Sequence, residues 1–260
     1  MQNGLSARLL LGLAQAGIAA AASIMVVLLA RRRNIHVESD LLIALVRGIA
    51  QITAVGSVLV LLLRGPRWTS GLVLAAMMLA AASTSSRRAK LPGSFQVSLY
   101  AIFAGAGSVI ALMTLARVID SAITSLVPVG SMLVANAMNT NSLALNRFKA
   151  DVQSHVGQIE SALALGAGAE QTVIPYVEAS FRASLIPAID SLRSLGIVWI
   201  PGLMAGMILS GAPPLYSAIY QFVVLAMIFA ASSLTSLIST TLIRQHAFSP
   251  ADQLLLRPQP

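Results

Sequence analysis

The sequence predicts an all-α fold, a polytopic bundle of about seven membrane-spanning helices with the N-terminus outside and the C-terminus inside. Three observations predict it. The 260 residues are 57% hydrophobic and only 10% charged, with a mean hydropathy of +0.81, whereas a soluble domain is about 25% charged. Apolar runs long enough to cross about 30 Å of hydrocarbon recur along the chain. Basic residues collect at the ends of those runs, where orientation signals belong.

The runs fall at 9–30, 41–63, 68–83, 95–116, 123–145, 183–209 and 215–243. None shows the two-residue alternation of a barrel strand, so each reads as a helix. The third is short, but its Leu/Ala/Met content and Trp68 at one edge favour a span. The charge pattern supports it as well. With that crossing, Arg31, Arg32, Arg33, Arg87, Arg88, Lys90, Arg147, Lys149, Arg182, Arg244 and Arg257 fall inside. Only Arg8, Arg64, Arg67 and Arg117 fall outside, and Arg47 and Arg193 lie within spans. Without it, the clusters at 31–33 and 87–90 land on opposite sides.

Composition excludes several function classes. The net charge of +8 does not indicate nucleic acid, because the basic residues flank apolar runs. No cysteine is present, which removes disulfides, thiolate metal sites and a catalytic thiol. The first apolar run is too long for a signal peptide, and its arginines follow rather than precede it. A P-loop needs G-x-x-x-x-G-K-[ST]. The two lysines, Lys90 and Lys149, do not follow glycine, so this chain carries no nucleotide-hydrolysing site of that kind.

One polar island interrupts the apolar sequence, at 146–182. Val152, Val156, Ile159, Leu163 and Gly166 recur at spacings of four and three, the pattern of one helix face. Gly166 and Gly168 stop that helix. A helix lying on the bilayer favours a lysine-rich polar face, yet no lysine or arginine lies between Lys149 and Arg182. The spacing therefore points to docking on a soluble partner, with Glu160 anchoring a basic groove. The tail after Arg244 bears prolines and is expected to fray.

Within the spans, Asp190 and Arg193 are three residues apart on one helix face. Arg47 lies at similar depth in the second span. Ionisable groups in hydrocarbon are costly and face a partner or a water-filled path. The pair is either a structural clasp or a cation site, with Asp190 expected to pair with Arg193, Arg47 or both. Asn136 and Asn139 offer amide oxygens suited to a hard cation. Met132, Met138, Met204 and Met207 are core filler or soft ligands. Pro187 and Pro201-Gly202 each remove a helix hydrogen bond and are hinge candidates. His36, His155 and His246 have no metal-ligand spacing, so no metal site is assigned.

Two stretches carry a family resemblance. Residues 160–167, E-S-A-L-A-L-G-A, look like the E-A-A-x-x-x-G helix that ABC permeases present to their ATPase. Residues 182–209 run R-A-S-L-I-P-A-I-D-S-L-R-S-L-G-I-V-W-I-P-G-L-M-A-G-M-I-L, and 128–138 run P-V-G-S-M-L-V-A-N-A-M. From about 41 to 243 the chain resembles the iron-export ABC permeases of the Fet type, a family that includes plant aluminium-sensitivity membrane proteins. Two departures stand at Met positions. One extra residue separates Gly130 from Met132, and Leu203 replaces the first Met of a P-G-M-M run.

The resemblance implies a single permease domain over 1–260 in a bacterial inner membrane, with a cytoplasmic ATPase-docking segment at 146–182. Glu160, Leu163, Leu165, Gly166 and Ala167 are the implied contacts. It implies a homodimer paired with a soluble ATPase that holds ATP and Mg, with no cofactor in this chain. Asp190, Arg193, Arg47, Asn136, Asn139, Met204 and Met207 are the expected path residues, and Pro187, Pro201 and Gly202 the hinges. Metal cations, iron first, are the expected cargo, and a nucleotide sugar is the alternative. A proton-coupled transporter without an ATPase, relaying protons through Asp190 and Arg193, and a scaffold that recruits a soluble enzyme are the readings from other classes.

Overall fold

A computed structural model describes residues 2–32, 38–62, 66, 68–120, 122–249 and 252–257. Arg33, His36, Arg64 and Arg67 lie outside the described residues. The described residues form helices, and their only extended pairings are isolated bridges, so the fold is all-α as expected.

The chain divides into two units, Met1–Gly65 and Pro66–Pro260. The first is a helical pair, α1 (Gln2–Arg31) on α2 (Glu38–Leu62). Both helices expose Leu, Ile and Val along most of their described surface, Ile18, Val46 and Ile52 among them. Arg47 is exposed on α2.

The second unit is a bundle of α3 (Trp68–Ala89), α4 (Ser94–Ile102), α5 (Ser108–Leu115), α6 (Ile123–Ser154), α7 (Val156–Ala164), α8 (Ala169–Ser194), α9 (Gly202–Leu209) and α10 (Pro214–Ile243). α4 and α5 are one stretch of 22 residues joined by a π-helical turn at Phe103–Gly107. α3, the α4–α5 stretch and α10 are long and apolar enough to cross a membrane.

α6 and α10 are the spine, and α3, α4 and α8 pack around them. Two cores result. The larger gathers Leu74, Ile102, Leu133, Val224 and Ile228 along the apolar length. The smaller surrounds Phe148 with Val152, Ile159, Val173, Phe248 and Leu256 at the α7 end. Polar contacts supplement the packing, as they do where lipid supplies no hydrophobic drive between helices. Asn141 donates to the Ser85 and Ser98 hydroxyls at 2.8 Å each, and the Ser184 and Ser236 hydroxyls meet at 2.7 Å. The π turn lies directly on α10. A Cβ on Gly105 would meet the Thr235 backbone nitrogen at 2.6 Å, so only glycine permits this approach.

Three expectations are corrected. The run at 183–209 is not one helix. α8 stops at Ser194, and α9 begins at Gly202. Gly196 takes a left-handed φ of +75°, its N–H donates to Trp199 O at 3.1 Å, and Pro201 caps α9, a proline–glycine break that apolarity alone hides. The island is not one helix either. α6 runs on to Ser154, and the chain breaks at His155 before α7. The tail does not fray over 244–249 and 252–257. Phe248, Leu254 and Leu256 are buried in the smaller core, because alternate apolar side chains outweigh its prolines.

Candidate functional site

Two places in the second unit carry polar chemistry, one at each side of the larger core. The first is the α7 end. Val156, Ile159 and Leu163 turn inward against Val173 and Phe148, as their spacing predicts. Leu163 is therefore half-buried and holds α7 down. The opposite side presents Glu160, Ser161 and Ala164. Leu165 follows at 89% exposure, then Gly166 in a left-handed turn at φ +89° and exposed Ala167. An exposed leucine thus follows directly on the short helix that carries the exposed Glu160 carboxylate.

The flanking charges here find partners. Glu160 Oε1 accepts from Arg257 Nη2 at 2.8 Å. Arg257 O in turn accepts from Gln153 Nε2 at 3.1 Å. Arg147 pairs with Asp151 at 2.9 Å. Arg244 Nε lies 3.1 Å from Glu170 Oε2, an ion pair without hydrogen-bond alignment. Lys149 Nζ lies 3.4 Å from the Ala89 and Lys90 carbonyls and caps α3. Tyr176 stacks on His155 with ring centroids 5.0 Å apart. Desolvation first, and then the Asp151 charge, push its phenol above its usual range, so it stays protonated at neutral pH.

The second place is a pair of cavities toward the other end of α6. The larger, of about 990 Å³, lies between the end of α5, the start of α6, α9 and the start of α10. Arg117, Asp120, Thr124, Tyr216 and Tyr220 line it, and the two tyrosine rings stack at 6.3 Å. Asp120 Oδ1 accepts from Ala122 N–H at 3.2 Å. Leu203 of α9 lines this cavity and also the smaller one. The smaller, a chamber of about 150 Å³, is built from Met132 and Asn136 of α6, Ser191 of α8, Trp199 and Pro201 of the break, and Gln221 of α10.

The expected path residues separate. Asn136 and Gly202 meet in the chamber with Pro201, and Met207 lines the larger cavity. Met204 is half-buried and lines neither. Asn139 turns away and accepts from Arg88 Nη1 at 3.4 Å. Asp190 and Arg193 are both exposed on α8 and form no ion pair with each other, so the Arg193 alternative of the expected pairing is not formed. Three residues of separation place them on one side of the helix without bringing the charged groups together. Among the hinge candidates, α8 continues unbroken past Pro187, and only Pro201-Gly202 marks a break. No group of three or more His, Cys, Asp or Glu side chains among the described residues is arranged to hold a metal ion.

Gln221 is the residue that the sequence reading missed. It is 1% exposed near the start of the apolar helix α10. The rule that flags Asp190, a polar group in a span needing a reason, extends to it.

The bundle, its apolar spans and its internal cavities define a polytopic helical membrane protein. Within that class the chain belongs to the family described as Uncharacterised protein family (UPF0014), whose profile matches residues 13–248. It is 32% identical to the UPF0014 membrane protein STAR2 of Oryza sativa subsp. japonica, over 94% of this chain and 87% of that one. It is 30% identical to the Protein ALUMINUM SENSITIVE 3 of Arabidopsis thaliana, over 94% and 90%. It is 30% identical to the Probable iron export permease protein FetB of Escherichia coli (strain K12), over 90% and 91%. No solved structure matches the chain.

Proposed function

We propose that this chain is the membrane-spanning permease of an ATP-driven exporter of metal cations, with ATP hydrolysed on a separate soluble subunit. The observation that carries this reading is the α7 end, a short helix held by its inward face, with Glu160 and Leu165 outward. The similarity to a protein named as a probable iron export permease supports the cargo and the direction. Seven crossings, with the first helix starting outside, put α7 and the tail in the cytoplasm, where an ATPase is available. In a bacterium the membrane is the inner one.

ATP-driven closure of the partner subunits moves α7. α7 is packed on α8 through Ile159 and Val173, and α8 leads into the break at 195–201 and into α9. Motion at α7 therefore has a packed route to Leu203, which stands between the two cavities. A second copy of the chain fits the exposed side of α8. Asp190 and Arg193 there present both signs of charge within the span, which lipid would penalise.

The size of the larger cavity favours a second cargo reading, a nucleotide sugar. About 990 Å³ is in the range of drug-sized ligand sites, and the stacked tyrosines and Arg117 suit a base and a phosphate. The test is stimulation of the partner ATPase by the reconstituted permease. Metal cation should raise hydrolysis, and Glu160→Lys should abolish the rise while expression is kept. Stimulation by a nucleotide sugar and not by metal selects the second reading. Hydrolysis unchanged in Glu160→Lys contradicts docking at α7.

A further inference from the structure

One side of α8 is left bare. Val173, Ser180, Ser184 and Leu185 are buried in the bundle. Glu178, Ala179, Arg182, Ile186, Asp190 and Arg193 are exposed. Their spacings of three and four residues put them on one helix face. Along that face the charges alternate in sign: Glu178, Arg182, Asp190, Arg193. None of these four side chains makes an ion pair or hydrogen bond among the described residues. At the α7 end, by contrast, Asp151, Glu160 and Glu170 each hold an arginine. Asp190 and Arg193 also lie within the apolar run at 183–209, where an ionised group facing hydrocarbon is costly and normally faces a partner.

The alternation selects the occupant. A partner of one sign would repel half of these groups, and lipid would strand all that lie in its apolar layer. A second copy of the same face carries the matching set. Copies of one chain enter the membrane in one orientation, because the same basic residues orient each. Their two-fold axis therefore runs along the membrane normal, and the two α8 helices run parallel. In a two-fold contact, residue i meets residue j and j meets i. At 1.5 Å per residue, Arg193 stands about 4.5 Å along the axis from the level of Asp190, and Arg182 about 6 Å from that of Glu178. Packed helices lie about 8–10 Å apart, a gap that an arginine and a carboxylate close from opposite sides. Ala179 is small, which lets two backbones approach.

We propose that the bare face of α8 is a two-fold seam between two parallel copies of this chain, in which Asp190 of each copy pairs with Arg193 of the other and Glu178 of each with Arg182 of the other. Ser191, next to Asp190, lines the smaller cavity, so the seam stands beside a cavity in each copy. The proposal deepens the exporter reading and rests on it for the purpose of the dimer, though not for its formation.

The sequence supplies its own probe. It contains no cysteine, so one introduced thiol per chain can form a disulfide only with a second copy. The full chain in its membrane is oxidised after Ala179→Cys or Ile186→Cys. Each should give at least tenfold more linked dimer than Leu112→Cys or Leu237→Cys, whose side chains are exposed on α5 and α10. Equal yields at all four positions mean random collision and overturn the proposal. With Ile186→Cys in place, Asp190→Arg alone and Arg193→Asp alone should each cut the yield at least fivefold, because like charges then meet across the seam. The two variants expressed together under different tags should recover it in the mixed dimer, which sets two cations against two anions. A mixed dimer that stays as weak as either variant alone overturns the reciprocal pairing. Recovery of Asp190→Arg by Arg47→Asp in the same chain gives the face to the chain's own second helix and overturns it too. The two readings fail separately. Linked dimers as described without ATP-driven transport leave the seam standing and remove the exporter. ATP-driven transport without linkage at 179 or 186 removes the seam.

Discussion

The α7 end and the chamber handle polar groups in opposite ways. At the α7 end Glu160, Glu170, Asp151 and Lys149 each meet a partner, and α7 is sewn down by a core around Phe148. Around the smaller cavity the buried Gln221 oxygen meets none among the described residues, and the donors of Asn136, Ser191 and Trp199 turn to other groups. Under the proposed function, the region of satisfied charges with its exposed Leu165 transmits force, and the cavities contact cargo.

Predictions that break or sharpen this contrast run from the largest effect downward. Leu165→Asp should lower permease-stimulated ATP hydrolysis at least tenfold with an unchanged melting point, since the side chain is 89% exposed. A drop in melting point would show that α7 is a structural piece rather than a handle. Phe148→Ala should destabilise by about 3–5 kcal/mol, as for other buried aromatics cut to alanine, read by denaturant melts of the solubilised protein. An effect below about 1 kcal/mol would mean that the smaller core does not hold α7. Gly105→Val should lower the melting point and slow transport together, because the added carbons meet the Thr235 backbone. Normal behaviour would show that the π turn and α10 separate freely. The smallest effect belongs to Arg257→Ala, which removes an exposed pair worth about 0.2–1 kcal/mol. Stability should hardly change. ATPase affinity should rise severalfold at most, as Glu160 is released for the partner. Weaker affinity would make Arg257 itself part of the docking surface.

The α7 end was legible in the sequence because its signals are local. Val156, Ile159 and Leu163 declare a buried face within nine residues, and Gly166 declares a stop. The all-α class and the long helices were legible for the same reason, since hydropathy and helical length are read along the chain. The chamber was not. Its wall comes from α6, α8, the 195–201 break, α9 and α10, brought together by packing that no local period encodes. Gln221 stands alone in an apolar run and carries no charge, so it drew less notice than Asp190. The break at Gly196 escaped because residues 195–200 are as apolar as a helix, and only the left-handed glycine and Pro201 betray it. The tail escaped because Pro250 reads as disorder, while Phe248, Leu254 and Leu256 are spaced to bury together.

The central claim is the proposed one, that a docking handle at α7 in the cytoplasm couples a separate ATPase to cation export, with the N-terminus outside. It is tested most directly by ATP-dependent accumulation of Mn²⁺ in inside-out vesicles that hold this permease and its ATPase. The account predicts accumulation that needs ATP and is lost in Leu165→Asp, together with the stimulated hydrolysis. Accumulation that persists without the ATPase, driven by a proton gradient and untouched by Leu165→Asp, would contradict it.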